Sequence, residues 1–339
     1  PRFRWPAPGR ATATPTTERE PMAGTHRRWT IRWALAAGLL ALSLTACSQP
    51  QAGAVPMMTP MPTTTQSSSG LTAAPVTPSV PLDSQGFADP AFRALWQRTD
   101  ADVASGNASR GWLWGTPVPF GALREPYAQA AGGTRLVQYF DKGRMELNDP
   151  NADPASPWYV TSGLLTVELV TGQVQVGDHA FQNLEPAQIP VAGDLESVSP
   201  QTPHYADYTS DRLARAADQT GQAVTAQFQR GQGVTSITPP APVTIAAYDD
   251  TLGHNIPDVF TNYFNQDLAA LGLNWLFVMG HPISEPYWIT ASFNGQTQLV
   301  LVQLFERRAL AYNPQNQAGA QVEFTNIGLH YYRWRYHNN

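Results

Sequence analysis

The run Tyr248-Asp249-Asp250-Thr251-Leu252-Gly253-His254-Asn255 brings two carboxylates and an imidazole within six residues. Such a set could ligate a metal ion or work as general acid and base, with Glu285 as a further carboxylate downstream. Its spacing matches no metal motif, so no metal site is assigned, and helix capping ahead of Pro257 accounts for the same residues. The triplet Glu-Pro-Tyr occurs twice, as Glu125-Pro126-Tyr127 and Glu285-Pro286-Tyr287. A carboxylate beside an aromatic ring suits sugar hydroxyls and the apolar face of a pyranose. Glu125, Tyr127, Glu285 and Tyr287 therefore read as ligand contacts, with Trp114 and Trp288 as stacking surfaces. The same triplets also read as turns whose tyrosines fill the core.

No Gly-x-Ser-x-Gly, His-Glu-x-x-His, P-loop or dinucleotide fingerprint occurs, and no cofactor is implied. Glycoside hydrolysis needs two carboxylates placed in space rather than a linear motif. An envelope hydrolase using Asp249, Asp250 or His254 with Glu285 is thus the alternative to a non-enzymatic binding module. The matching ends Asp141-Lys142 and Glu306-Arg307 read as solvated charges beside turns.

The elements that must position these residues follow a β-rich plan. Asp89-Pro90 is an N-cap with proline at N1, and Phe92, Leu95 and Trp96 continue at helical spacing. Residues 135–141 and 144–147 flank Lys142-Gly143, and 164–170 and 173–176 flank Thr171-Gly172, so both pairs are predicted as hairpins. A middle segment, 195–252, carries a short predicted helix at 211–218 and a pairing of 222–229 with 234–237. A second helix is predicted from Asn255 as cap, with Val259, Phe260, Tyr263 and Phe264 on one face. Strands 287–293 and 298–306 are joined by Asn294-Gly295, a strong hairpin signal.

Sliding the chain by 165 residues aligns Leu136-Val137-Gln138-Tyr139-Phe140 with Leu301-Val302-Gln303-Leu304-Phe305. Nine identities fall within positions 136–164 at this offset, where chance gives about two. The Glu-Pro-Tyr triplets match at an offset of 160, which a five-residue loop shift would explain. The expected architecture is α+β and β-rich, with two duplicated helix-plus-β-hairpin units, 86–194 and 253–339, joined by the α/β middle segment 195–252.

The N-terminal region carries an address. Residues 1–21 lack a starting methionine and read as an upstream extension, whereas Met22 precedes a basic stretch with Arg27, Arg28 and Arg32. The apolar run 33–46 is too short to span a bilayer and suits the core of a signal peptide over 22–46. Leu44-Thr45-Ala46-Cys47 resembles the bacterial lipobox, which implies cleavage and diacylation at Cys47, the chain's single cysteine. Residues 47–85, rich in Pro, Ser and Thr, are predicted as a flexible tether. The expectation is an extracytoplasmic protein anchored to membrane lipid through Cys47.

The 339 residues carry a net charge of −5, and residues 1–46 hold seven Arg against two Glu. The part from Cys47 onward is therefore acidic and offers no basic surface for nucleic acid. At 42% hydrophobic residues the full chain can build a real core.

The second unit, through Met279-Gly280-His281-Pro282-Ile283-Ser284-Glu285, Gln303-Leu304-Phe305-Glu306, Tyr312-Asn313-Pro314, Ala318-Gly319-Ala320 and Gly328, resembles the LGFP-type repeat of bacterial surface proteins. His281 stands where that repeat carries an aromatic residue, and Thr116 stands there in the first unit. The resemblance implies association with cell-wall polysaccharide or the envelope surface, and it names no catalytic residue.

Overall fold

The computed structural model describes residues 80–116, 121–196 and 198–336. The extension, the signal peptide and Cys47 lie outside the described residues. The fold is α+β and strand-rich. Helix α1 (Pro90–Ala104) opens it, with the Asp89 side chain accepting from Ala91 N at 2.8 Å and Pro90 in the first turn. Strands β1 (Ala122–Pro126), β2 (Thr134–Phe140), β3 (Gly143–Leu147) and β4 (Thr161–Ser162) form an antiparallel meander. Helix α2 (Leu165–Thr171) and the hairpin β5 (Gln173–Gly177) and β6 (Ala180–Asn183) follow.

The chain then runs through β7 (Ala226–Gln229), β8 (Gly233–Ser236), β9 (Ile245–Asp249) and β10 (His254–Pro257). Helix α3 (Asp258–Tyr263) continues into a π-helical turn, Phe264–Leu268, and α4 (Trp275–Met279) precedes a second meander. That meander comprises β11 (Tyr287–Phe293), β12 (Gln296–Leu304), β13 (Ala309–Tyr312) and β14 (Val322–Phe324), and α5 (Ile327–Tyr336) ends the fold. Strands β7 and β8 extend the second sheet, with β7 parallel to β11, while β9 and β10 pair as a separate hairpin. Asn294 and Gly295 both have positive φ, 51° and 75°, as a two-residue hairpin turn requires.

Neighbouring residues along β2 and β12 feed opposite clusters. Leu136, Phe140, Leu301 and Phe305 pack with Phe92 and Trp96 of α1 and Phe260 and Tyr263 of α3. Val137, Tyr139, Val300, Val302 and Leu304 pack with Leu165 and Leu169 of α2 and Ile327 and Tyr331 of α5. Strands covered on both faces need apolar residues at successive positions, which the Leu-Val-Gln-x-Phe segments supply. Each cluster draws on residues before 195, between 195 and 252, and after 252, so the described residues of all three stretches share both clusters.

Backbone links across the middle tie the ends together. Gly328 N and Leu329 N donate to Asp141 O at 3.0 and 3.3 Å, and Val167 N donates to Glu306 O at 3.3 Å. Lys142 Nζ donates to Phe324 O at 2.9 Å, and Arg307 donates to Ser162 O. Lys142 and Arg307 are thus bonded to backbone carbonyls, in contrast to the solvated charges expected from their place beside turns.

Three further expectations are corrected. Residues 165–171 form α2 rather than a strand, and Gly172, at φ 72°, is its left-handed C-terminal residue. Such a glycine serves a helix end and a hairpin turn equally well, so the Thr-Gly pair misled. No helix forms at 211–218. Thr209 O accepts from Arg212 N and Leu213 N, Asp218 Oδ1 holds Thr220 N, and Ala216 N pairs with Gly253 O, so side-chain turns and the neighbouring hairpin take the backbone. Asn255 lies in β10 and caps nothing, because α3 begins three residues beyond it, after Pro257. The expected tether also ends sooner: Val80 N donates to Ala122 O at 2.8 Å and Asp83 pairs with Arg93 at 3.0 Å, so residues 80–85 belong to the fold.

Candidate functional site

The hairpin of β9 and β10 faces the loop 280–286 that leads into β11. Asp249 ends β9, and its Oδ1 accepts from Thr251 N and Leu252 N, both at 3.1 Å, which shapes the turn. Its Oδ2 lies 2.7 Å from His281 Nδ1. His254, the register partner of Asp249, places its Nδ1 3.3 Å from Glu285 Oε1. Two histidine–carboxylate pairs therefore join hairpin and loop in crossed order, Asp249 to His281 and His254 to Glu285.

Asn255 fixes the second pair. Its backbone N donates to Glu285 Oε1 at 3.0 Å and its Nδ2 to Glu285 Oε2 at 2.9 Å. Nδ2 also donates to Ala217 O, while Oδ1 accepts from Gln219 N at 2.8 Å. Gln303 Nε2, from β12, donates to Asn255 O and to Ser284 O. A carboxylate held on both oxygens and an imidazole oriented through Nδ1 form a preorganised pair.

Two clefts open beside it. One, of about 250 Å³, is lined by Gln219, Thr225, Glu285, Pro286 and Tyr287 among others. The other, of about 210 Å³, is lined by Val167, Val170, Thr171, Leu213, Leu252, His254 and Ile283, and lies between α2 and the hairpin–loop assembly. The structure thus brings Asp249, His254, Glu285 and Tyr287 into one neighbourhood. Asp250 stays outside it: the residue is exposed and its carbonyl accepts from Arg215 Nη2 at 2.8 Å.

The remaining sequence-assigned residues lie elsewhere. Trp114 is wholly buried with the Arg308 guanidinium 4.2 Å from its ring centre. Trp288 is wholly buried with Nε1 donating to Val224 O at 2.8 Å. Neither indole offers a free face, so both are removed from the ligand contacts. Trp114 lies in the loop between α1 and β1 and Trp288 in a strand buried at successive positions, and a motif reveals neither burial. Trp158 is the exposed indole among the described residues, at 54%, set edge-on to Phe277.

The two Glu-Pro-Tyr triplets are not equivalent. Strand register sets Tyr287 opposite Val302, whereas Leu123 stands opposite Val137 and Tyr127 lies just beyond the end of β1. The first triplet closes a strand and the second opens one. Tyr127 is buried, with its hydroxyl donating to Asp178 at 2.8 Å and Arg135 over its ring at 4.6 Å. Burial and the Asp178 carboxylate push its hydroxyl up to about 12.

Glu125 belongs to a buried network in which Arg135, Arg144 and Arg335 face Glu125, Glu146 and Glu168. It accepts from Tyr139 at 2.5 Å, Tyr336 at 2.6 Å and Arg335 at 2.9 Å. Burial alone would raise its carboxyl, but Arg335, Arg144 and Arg135 hold it well below the usual carboxylate range. Glu168, which accepts from Tyr331, is raised by burial against the pull of Arg144. With three charges of each sign, this network ties α2 and α5 to the first sheet and leaves Glu125 enclosed rather than available to a ligand.

Sequence reasoning missed His281 and Asn255 as members of the site. Nothing local marks them, since each acts across a distance of about 30 residues in the chain. Among the described residues, no three His, Cys, Asp or Glu side chains gather to hold a metal ion, and no helix is long and apolar enough to cross a membrane. No family model, curated protein or solved structure matches the chain.

Proposed function

We propose that the chain is an extracytoplasmic lipoprotein, anchored through Cys47, that acts as a non-enzymatic module binding cell-wall polysaccharide. The observation that carries the binding part is the cleft holding Glu285 and Tyr287 with Gln219 and Thr225. Glu285 is oriented by Asn255 and retains lone-pair directions for sugar hydroxyls, while Tyr287, largely buried against Phe228 and Tyr208, lines the same cleft. The lipobox-like Leu44-Thr45-Ala46-Cys47 supports the anchor. The two stretches running helix, four-stranded meander, helix, aligned at an offset of 165, support reading them as divergent copies of one LGFP-like unit.

The test is retention of the protein on purified peptidoglycan and wall polysaccharides. Saturable binding is expected, weakened at least about tenfold in Tyr287→Ala and in Glu285→Gln, in line with loss of a contact of about 1.4 kcal/mol. Failure to be retained on any envelope polysaccharide refutes the reading. The anchor has its own test: the natural chain partitions into detergent with membrane lipid, and Cys47→Ser releases it.

The oriented His254–Glu285 pair also favours a second reading, an envelope hydrolase with its site between the two stretches. That reading calls for release of reducing ends from wall glycan by the wild-type protein and its loss in Glu285→Gln. Binding without release leaves the first reading standing alone.

A further inference from the structure

The cleft between α2 and the hairpin–loop assembly has a lining unlike that of its neighbour. Val167, Val170, Leu213, Leu252 and Ile283 form apolar walls, and Thr171, whose hydroxyl donates to Val167 O at 2.7 Å, stands at the exposed rim. The cleft has one ring able to make a directed polar contact, the imidazole of His254. Glu285 accepts at His254 Nδ1, and a hydrogen bond to a carboxylate requires the proton on that nitrogen. In the neutral ring with that proton on Nδ1, Nε2 is an acceptor that no described residue bonds, in a ring that lines apolar walls.

An apolar cavity of roughly 150 Å³ takes up a molecule the size of benzene. The volume here, about 210 Å³, admits a single ring with small substituents. Charge is disfavoured, since an ion entering these walls would lose its hydration with no counter-charge inside. A hydroxyl is favoured, because it donates to Nε2 while its carbon body replaces water on the valine, leucine and isoleucine side chains.

We infer that this cleft is a binding site for a small, uncharged apolar alcohol or phenol, held by a hydrogen bond from its hydroxyl to Nε2 of His254. The site is separate from the polysaccharide cleft in lining and in ligand class, and the inference does not rest on that reading.

The experiment titrates the full chain with phenol and with toluene, reading dissociation constants by ligand-detected magnetic resonance. Phenol is expected to bind saturably and about threefold to tenfold more tightly than toluene, the worth of one neutral hydrogen bond. His254→Asn keeps a donor to Glu285 and removes Nε2, so it should equalise the two probes without abolishing toluene binding. Thr171→Trp at the exposed rim should block both. Absence of saturable binding by either probe overturns the site. A phenol preference that survives in His254→Asn overturns the role of the imidazole, and binding that survives Thr171→Trp places the probes elsewhere.

Discussion

His330 is buried in α5, with Nδ1 3.0 Å from the Tyr205 hydroxyl and Lys142 and Arg333 as the nearby cations. Burial first, and then those two cations, push its imidazole down to about 3. An unfolded histidine titrates near 6.5, so below that pH the unfolded chain takes up a proton that the folded chain refuses. Stability contributed by this residue is therefore complete above about pH 7 and declines as pH falls toward 3. The thermal midpoint should drop across that window, with a shallower slope in His330→Phe; an unchanged slope would exclude His330 as the origin. Asn255 offers a second test at this scale. Its side chain is wholly buried and bonds Glu285, Ala217 and Gln219. Asn255→Ala should cost on the order of 3 kcal/mol in urea unfolding, since it leaves several buried partners unmet.

At the scale of elements, two glycines set how closely segments approach. A Cβ on Gly328, at the start of α5, would stand 1.9 Å from Phe140 O, so the helix could not donate to Asp141 O as it does. Gly328→Ala should destabilise by about 3 kcal/mol, measured by chemical denaturation, as overpacking against backbone leaves little room to relax. At Gly172, a left-handed φ of 72° and a Cβ position 2.1 Å from Leu184 O exclude any side chain at the junction of α2 and β5. The cap of α1 is a milder case, and Asp89→Ala should cost about 1 kcal/mol by the same measurement. These differences follow from geometry: a cap loses one hydrogen bond, whereas a blocked approach separates two elements.

At the largest scale, the described residues are held together by contacts that join distant parts of the chain. Both apolar clusters combine residues from the first and second meanders, and the network around Arg144 joins β1, β3, α2 and α5. Near-ultraviolet and far-ultraviolet circular dichroism should therefore report one coincident thermal transition; two separated transitions would show that the stretches fold independently. Arg144→Met should lower stability by about 3–5 kcal/mol, because it strands buried carboxylates that burial already disfavours in their charged form. A loss below about 1 kcal/mol would mean that the network is solvated in solution.

The strand-rich α+β class, the helix opened by Asp89-Pro90 and the hairpin at Asn294-Gly295 were legible in the chain because each rests on local chemistry: capping, apolar period and turn preference. Within the site, Asp249, His254, Glu285 and Tyr287 could be named from residue type alone. Their pairing could not, because Asp249 meets His281 and His254 meets Glu285 only when the β9–β10 hairpin folds against the loop before β11. Tertiary packing likewise enclosed Trp114, Trp288 and Glu125, and strand register separated the two Glu-Pro-Tyr triplets. A sequence determines which groups are able to act; burial and register, which depend on residues far away in the chain, decide which of them face a cleft.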